Sequence, residues 1–358
     1  MPLDRWWIDA GWFPVPEGAP WWNYGTWTPD PVRFPNGLKP VMDYAHAKGL
    51  QTVLWFCTET VRPGTWLEQN HPQWLIPQLE YGQRSLLNLA NPEAHQWAVE
   101  HINRCIDGYG VDVYRHDNEI GALPLWRSQD KEDRQGMTEI QYVTNFLSLY
   151  DEILRRHPKM LIDNCCAGGR RNDVATLRRS VPLWRSDVWG APTPMQSMTY
   201  GLAMWIPYFG HMTGYFDPYS FCSNMYPSGV MDFDVLNRNQ NYDLLRKLLG
   251  QWRNLADNLL GDYYPLTPYS LEETVWMAWQ FDRPEAGEGM VQVFRRPGSD
   301  VFGRTIRLQG LNPEATYTLK NIDRDDSWTA SGKELMEKGI HLVIEQQPAA
   351  ILITYKTL

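Results

Sequence analysis

The stretch AHQWAVEHINRCIDGYGVDVYRHD, residues 94–117, decides how the chain is read. Ala94, Trp97, Ala98, Ile102 and Cys105 recur at the spacing of one face of an amphipathic helix. Val111 to Arg115 then reads as a strand, and Asp117 falls just beyond its end. A helical stripe followed by a short apolar run is the signature of a βα unit, which implies a parallel sheet.

The same alternation recurs on both sides of this stretch. Upstream, Trp6 to Trp12 reads as a first strand and Pro40 to Lys48 as a helix with Val41, Tyr44 and Ala45 on one face. That helix ends at Gly49, where a glycine is expected, and Gln51 to Cys57 follows as a second strand. Downstream, Val143, Phe146, Leu147, Tyr150 and Leu154 have the spacing of a buried helix face. Met160 to Asp163 and Val181 to Ser186 read as strands, the second with Asp187 just beyond it. Met204 to Phe209 and Val230 to Phe233 read as late strands, and Leu244, Leu245, Leu248, Trp252, Leu255 and Leu259 as an apolar closing helix.

The count is about eight βα units, the number of a (β/α)8 barrel. From about Asp262 the texture changes. Thr274 to Phe281, Met290 to Arg295, Thr305 to Leu308, Thr316 to Leu319 and His341 to Ile344 are short strands between Pro, Gly, Asn and Asp turns. The expectation is a catalytic barrel over residues 1–262 and a small antiparallel β domain over residues 263–358.

Composition narrows the function. The 358 residues carry 42 acids against 33 bases, a net charge of −9 with no basic block, which argues against nucleic acid as a partner. The five cysteines, Cys57, Cys105, Cys165, Cys166 and Cys222, are odd in number and form no C-x-x-C, so a reducing compartment is the simpler reading. The start, Met-Pro-Leu-Asp-Arg-Trp-Trp, lacks the basic-then-apolar pattern of a signal peptide, and no stretch approaches the roughly 20 apolar residues of a membrane span. A cytoplasmic location is expected, with secretion open if a segment precedes this one.

Aromatic content points to a ligand class. There are 18 Trp and 18 Tyr, many beside Gly, Pro, Asp or Asn, as in Trp21-Trp22-Asn23-Tyr24. Flat rings beside polar hydrogen-bonders suit sugars, whose C–H faces stack while their hydroxyls need partners; the plain alternative is that Trp fills a large core.

In a (β/α)8 barrel the catalytic groups project from the carboxyl ends of strands. Asp9, Asp117, Asp163 and Asp187 each follow or end an apolar run. Breaking an acetal takes one carboxylate to attack the anomeric carbon and one carboxyl to protonate the leaving oxygen, about 5 Å apart in retaining enzymes. Asp117 and Asp187 are the expected pair. A single strand-end Asp serves equally well as an N-cap for the next helix, but four in one barrel shift the balance toward function. Arg115 alternates onto the side of Asp117, where it could hold the carboxylate and donate to a sugar hydroxyl. Val188 and Trp189 could form a drier pocket for Asp187.

Other chemistries fit less well. His116 and His211 are isolated, with no H-x-x-x-H or C-x-x-C to hold a metal. Cys165 and Cys166 have no His partner by motif. The glycines of Cys165-Cys166-Ala167-Gly168-Gly169-Arg170-Arg171 match neither G-x-G-x-x-G nor a Walker A loop.

Taken in order, the motifs resemble glycoside hydrolase family 36, the α-galactosidase or melibiase family. They are Trp7-Ile8-Asp9-x-Gly11-Trp12, Gly37-Leu38-Lys39-Pro40, Asp43-Tyr44, His46-x-Lys48-Gly49, Leu54-Trp55-Phe56-x-x-Glu59, Leu87-Asn88, Asn91-Pro92, the strand ending in Asp117, Cys165-x-x-Gly168-Gly169-Arg170, and Ser186-Asp187. The resemblance implies a (β/α)8 barrel followed by a C-terminal antiparallel β-sandwich, and retaining hydrolysis of terminal α-galactosyl groups. It implies Asp117 as nucleophile and Asp187 as acid/base, with Asp9, Trp12, Trp55, Arg115, Cys165, Gly168 and Arg170 at the sugar. It implies no metal or organic cofactor. The partner would be an α-linked galactosyl oligosaccharide or glycoconjugate, without nucleic acid or membrane, and a homo-oligomer stays open.

The chain also departs from the family pattern. Asp9-Ala10 stands where paired acids are usual, Arg115 where Lys is usual, and Cys57-Thr58-Glu59 where Glu-Pro-Glu is usual. α-N-Acetylgalactosamine or another α-glycoside therefore remains an alternative substrate, and a catalytically impaired sugar-binding protein an alternative class. The first strand begins almost at Met1, where the family usually carries a large N-terminal β-sandwich.

Overall fold

A computed structural model describes residues 3–15, 17–18, 23–78, 84–324 and 326–358. Trp21 and Trp22 of the aromatic run lie outside the described residues. The chain divides into two compact units, Pro2–Pro182 and Leu183–Leu358.

The first unit is built on a parallel sheet whose strands, in spatial order, are Arg5–Ile8, Gln51–Phe56, Val113–His116 and Leu161–Asn164. Asp163 also makes a parallel bridge to Val181. The crossovers run through the helices Lys39–Ala47, Pro92–Tyr109 and Met137–Arg156, as parallel neighbours require. Thr52 to Phe56 and Val113 to His116 are buried throughout, which is why their sequences read as continuous runs rather than as alternation. Pro92–Tyr109 starts where the Asn91 side chain accepts from the backbone N–H groups of Glu93 and Ala94, and it ends at left-handed Gly110; such a cap contributes about 1 kcal/mol.

Two helix faces are turned from those expected. Along Met137–Arg156 the buried residues are Tyr142, Phe146, Leu149, Tyr150 and Ile153, while Val143 is exposed. The core on that side is aromatic, and it draws in Tyr142 for a hydrogen bond described below. In Lys39–Ala47, Met42 and Ala45 face inward and Tyr44 outward.

In the second unit the backbone N–H of Arg185 donates to the Gly210 carbonyl at 3.1 Å, and Gly210–Met212 pairs in parallel with Ser228–Val230. A Cβ on Gly210 would lie 2.6 Å from the carbonyl oxygens of both Leu183 and Ser228, so only glycine lets these three backbones approach so closely. The late strands are therefore shifted from the expected ones. Residues 204–209 are turn and irregular chain, Ser228–Val230 replaces Val230 to Phe233, and of Val181 to Ser186 only Val181 makes a bridge. The first strand likewise stops at Ile8, short of Trp12.

The C-terminal part of this unit is a six-stranded antiparallel sheet. Its order is Asp262–Pro265, Trp276–Arg283, Glu288–Arg295, Ala349–Thr357, Thr316–Asn321, Ser327–Ser331. A second pair, Gly303–Ile306 with Ile340–Val343, accompanies it. Alternation decides its two faces. Met277, Trp279, Phe281, Met290 and Phe294 join one core with the helix Tyr242–Leu255, and Trp276, Ala278, Val291 and Val293 join the other with Ile306 and Ile340. The fold is a (β/α)8 barrel followed by a C-terminal antiparallel β-sandwich. Among the described residues no helix is long and apolar enough to cross a membrane.

Candidate active site

The parallel register of the first unit sets its chemistry. Trp55 pairs with Arg115 and Arg115 with Asp163, so in an in-register parallel sheet the three side chains share one face. Asp9 lies one residue past the strand Arg5–Ile8, and Asp117 one past Val113–His116, two residues on from Arg115 and hence on its side.

Arg115 is buried, donating from Nη1 to Asp163 Oδ2 at 2.5 Å and from Nε to Asp9 Oδ2 at 3.1 Å, with its guanidinium 4.8 Å from the Trp7 ring centroid. Burial alone would disfavour its charge, but Asp163, Cys165, Asp9 and Asp117 outweigh that and hold its pKa well above the usual arginine value. Arg115 donates to Asp163 and Asp9, and Asp117, the partner suggested by the sequence, acts on it through its charge. Asp9 shares Oδ2 with the Trp7 indole N–H at 2.8 Å, and more than half of its side chain is exposed.

Asp117 is 5% exposed. Its Oδ1 accepts from the backbone N–H groups of Asn118 at 2.7 Å and Ala167 at 3.1 Å, and its Oδ2 from the Trp55 indole N–H at 3.2 Å. The Ala167 donor comes from the loop after Leu161–Asn164, where Ala167 has φ +42° and Gly168 φ +77°. A left-handed alanine costs about 1–3 kcal/mol and persists only where its surroundings fix it; such outliers gather at functional sites.

Behind this face lies a group of buried polar side chains that the sequence did not announce as a unit. Glu59 accepts from Arg171 Nη1 at 2.5 Å and Nη2 at 2.7 Å, from the Tyr142 hydroxyl at 2.6 Å, and shares a hydrogen bond of 2.8 Å with His116 Nε2. His116 Nδ1 and the Tyr114 hydroxyl are 2.8 Å apart. Burial would raise the pKa of Glu59, but the charge and N–H groups of Arg171 and the contact with His116 reverse that and hold it below the usual carboxylate range. Arg170, expected at the sugar, is exposed, and its neighbour Arg171 is the arginine that reaches inward. His116 points away from Arg115 because adjacent strand residues face opposite ways.

Trp12 also corrects the reading. It is 1% exposed, donates its indole N–H to the Trp55 carbonyl at 2.7 Å, and packs among Phe13, Trp27 and Phe56. It is a core residue, as is Tyr24. Cys165 is buried, and all five cysteines are free thiols. Among the described residues no cluster of His, Cys, Asp and Glu could hold a metal ion.

Asp187 belongs to the second unit. It is exposed and accepts at Oδ1 from the Trp184 indole N–H at 3.2 Å. The Trp184 ring stacks on His211 at 4.7 Å, and His211 Nε2 donates to the Ser186 carbonyl at 2.6 Å. Val188 and Trp189 are exposed at 51% and 60%, so these two do not form the dry pocket expected around Asp187.

Comparison with known proteins places these features in a family. The family model described as Melibiase matches residues 2–213, and that of the glycosyl hydrolase family 36 C-terminal domain matches residues 273–354. The chain is 26% identical to alpha-galactosidase C of Emericella nidulans, over 95% of this chain and 47% of the fungal protein. It is 24% identical to alpha-galactosidase Mel36A of Lactobacillus acidophilus, over 97% of this chain and 49% of the relative. It thus spans about half the length of the curated relatives it matches. Among solved structures, the alpha-galactosidase from Lactobacillus brevis superposes with a TM-score of 0.86 at 19% identity, covering 99% of this chain and 51% of that one. A variant of the GH36 alpha-galactosidase AgaA from Geobacillus stearothermophilus in complex with raffinose superposes with a TM-score of 0.83 at 20% identity, covering 99% of this chain and 51% of that one.

Proposed function

Because the chain belongs to the melibiase family of glycoside hydrolases, we propose that it hydrolyses terminal α-galactosides with retention of configuration, with Asp117 as nucleophile and Asp187 as general acid/base. The observation that carries this reading is the setting of Asp117. It is a carboxylate just past a buried parallel strand, aimed by three N–H groups and flanked by the Arg115, Asp163 and Asp9 cluster.

In the first half-reaction a carboxylate oxygen of Asp117 attacks the anomeric carbon. The bond from that carbon to the leaving oxygen breaks, and Asp187 delivers the proton that oxygen needs. The product is a galactosyl ester of Asp117 with inverted configuration. Asp187, now deprotonated, takes a proton from water as it attacks the same carbon, which restores the configuration and frees Asp117. Asp9, largely exposed beside Arg115, is the candidate acceptor for sugar hydroxyls, with Cys165 and Gly168 supplying wall. Ala10 provides no second carboxylate there, which keeps α-N-acetylgalactosaminides and other α-glycosides in the test. The partner that fits is an α-linked galactosyl oligosaccharide or glycoconjugate, and the raffinose bound to the AgaA variant supports that class.

The test is release of nitrophenol from aryl α-galactoside, α-N-acetylgalactosaminide, α-glucoside and α-arabinopyranoside, with Asp117→Ala beside the unaltered protein. Cleavage of the galactoside that disappears in the variant is the expected result. Sugar binding without turnover of any substrate would replace the enzyme by a sugar-binding protein.

A further inference from the structure

We propose that Glu59 and Arg171 are positioning residues for the nucleophile: their buried ion pair fixes the loop of residues 165–171, whose Ala167 N–H aims the Asp117 carboxylate. The inference rests on reading Asp117 as the nucleophile.

The loop is anchored at both ends. At its start the Cys165 N–H donates to the His116 carbonyl at 2.7 Å, and the Cys166 N–H to the Gly168 carbonyl at 2.9 Å. At its end Asn164 Nδ2 donates to the Arg171 carbonyl at 3.0 Å, while the Arg171 guanidinium lies over the Phe146 ring at 4.1 Å and grips Glu59 with both Nη atoms. Between the anchors sits Ala167 in its left-handed conformation, donating to Asp117. A bidentate fork fixes direction as well as distance, so Arg171 can hold this strained turn in one orientation.

Glu59 is closed off from the sugar. It is fully buried and both oxygens are taken, Oε1 by Arg171 and His116, Oε2 by Arg171 and Tyr142, so it cannot reach a substrate. For stability alone an apolar filling of the same volume would serve as well as a buried ion pair. What the pair adds is geometry, tying the segment after Gln51–Phe56 to the one after Leu161–Asn164 on either side of the strand that carries Asp117. A nucleophile displaced by even 1 Å loses on the order of a hundredfold in rate.

The experiment uses two probes that need the nucleophile but not the acid: α-galactosyl fluoride, whose leaving group needs no proton, and an activated fluorosugar that labels the nucleophile covalently. Glu59→Gln and Arg171→Lys are compared with the unaltered chain. Each variant is expected to lower kcat for the fluoride and the labelling rate constant together by about 10–100-fold, with KM within about threefold and one label per folded chain. A merely structural role would lower the fraction of chains labelled and leave the rate constant of the rest unchanged, and that result overturns the proposal. Should Glu59→Gln not fold, Arg171→Lys, which keeps the charge and loses the fork, decides alone. If the unaltered chain is neither labelled nor active on the fluoride, the nucleophile reading itself falls; if it is labelled at Asp117 and both variants match it, only the positioning role falls.

Discussion

Asp117 and Asp187 are held in opposite ways. Asp117 is buried, and two of its three donors, Trp55 and Ala167, come from segments 62 and 50 residues away in sequence. Asp187 is exposed and takes its indole donor from three residues back, through a Trp184 ring steadied by His211. Attack on carbon needs an oxygen held in one place, whereas the acid/base must reach the leaving oxygen first and an incoming water afterwards. The contrast suits the two roles proposed for them.

The largest effect is expected at Asp117. Asp117→Ala should lower kcat/KM by on the order of 10⁴-fold or more, and azide should partly restore turnover as the β-galactosyl azide, identified by NMR. Restoration with the α-azide would reverse the assignment of the two carboxyls. Asp187→Ala should cost about 10²–10⁴-fold on poor leaving groups and far less on the fluoride. An equal loss on both would mean that Asp187 does more than carry a proton. Next comes Trp55→Phe, which removes one donor from the buried carboxylate alone. Losing a hydrogen bond to a charged group costs about 1.5–3 kcal/mol, so kcat should fall roughly 10–100-fold with KM little changed; an unchanged kcat would show that the backbone donors suffice.

The buried network behind Asp117 should also be sensitive to acid. The pKa of Glu59 is lowered from its ordinary 4.5 by its partners. A depressed carboxyl contributes stability that is fully present above its unfolded pKa and is lost as the pH falls toward the folded one. The Tm gap between the unaltered chain and Glu59→Gln should therefore be flat above about pH 5 and narrow below it, from a starting cost of about 3–5 kcal/mol. A gap that widened in acid would mean that Glu59 is protonated in the fold.

What the sequence revealed and what it withheld divide along the same line. Buried parallel strands leave an uninterrupted apolar trace, so Gln51–Phe56, Val113–His116 and Leu161–Asn164 were legible to within two residues at either end, and with them the strand-end position of Asp117. The contacts that steady Asp117 were not. Glu59 meets Arg171 across 112 residues and Tyr142 across 83, and no periodicity encodes such a meeting. The run Arg170-Arg171 offered two adjacent arginines, and only the fold shows that it is Arg171 that meets Glu59. The central strand of the C-terminal sheet, Ala349–Thr357, also escaped notice, because an apolar run at a chain end has no second flank of turn residues to mark it.

Trp12 carries the smallest expected effect on activity and the finest test of this division. By sequence its motif places it at the sugar, yet in the fold it is sealed among Phe13, Trp27 and Phe56, and its indole N–H is spent on the Trp55 carbonyl. Trp12→Phe keeps a ring in that core and leaves the carbonyl short of one donor, at a cost of about 1–3 kcal/mol. The expected outcome is a lower Tm with KM for an aryl α-galactoside within about twofold, since a buried ring has no face to offer a pyranose. A tenfold rise in KM at unchanged Tm would return Trp12 to the substrate, and would mean that this aromatic cluster opens when sugar binds.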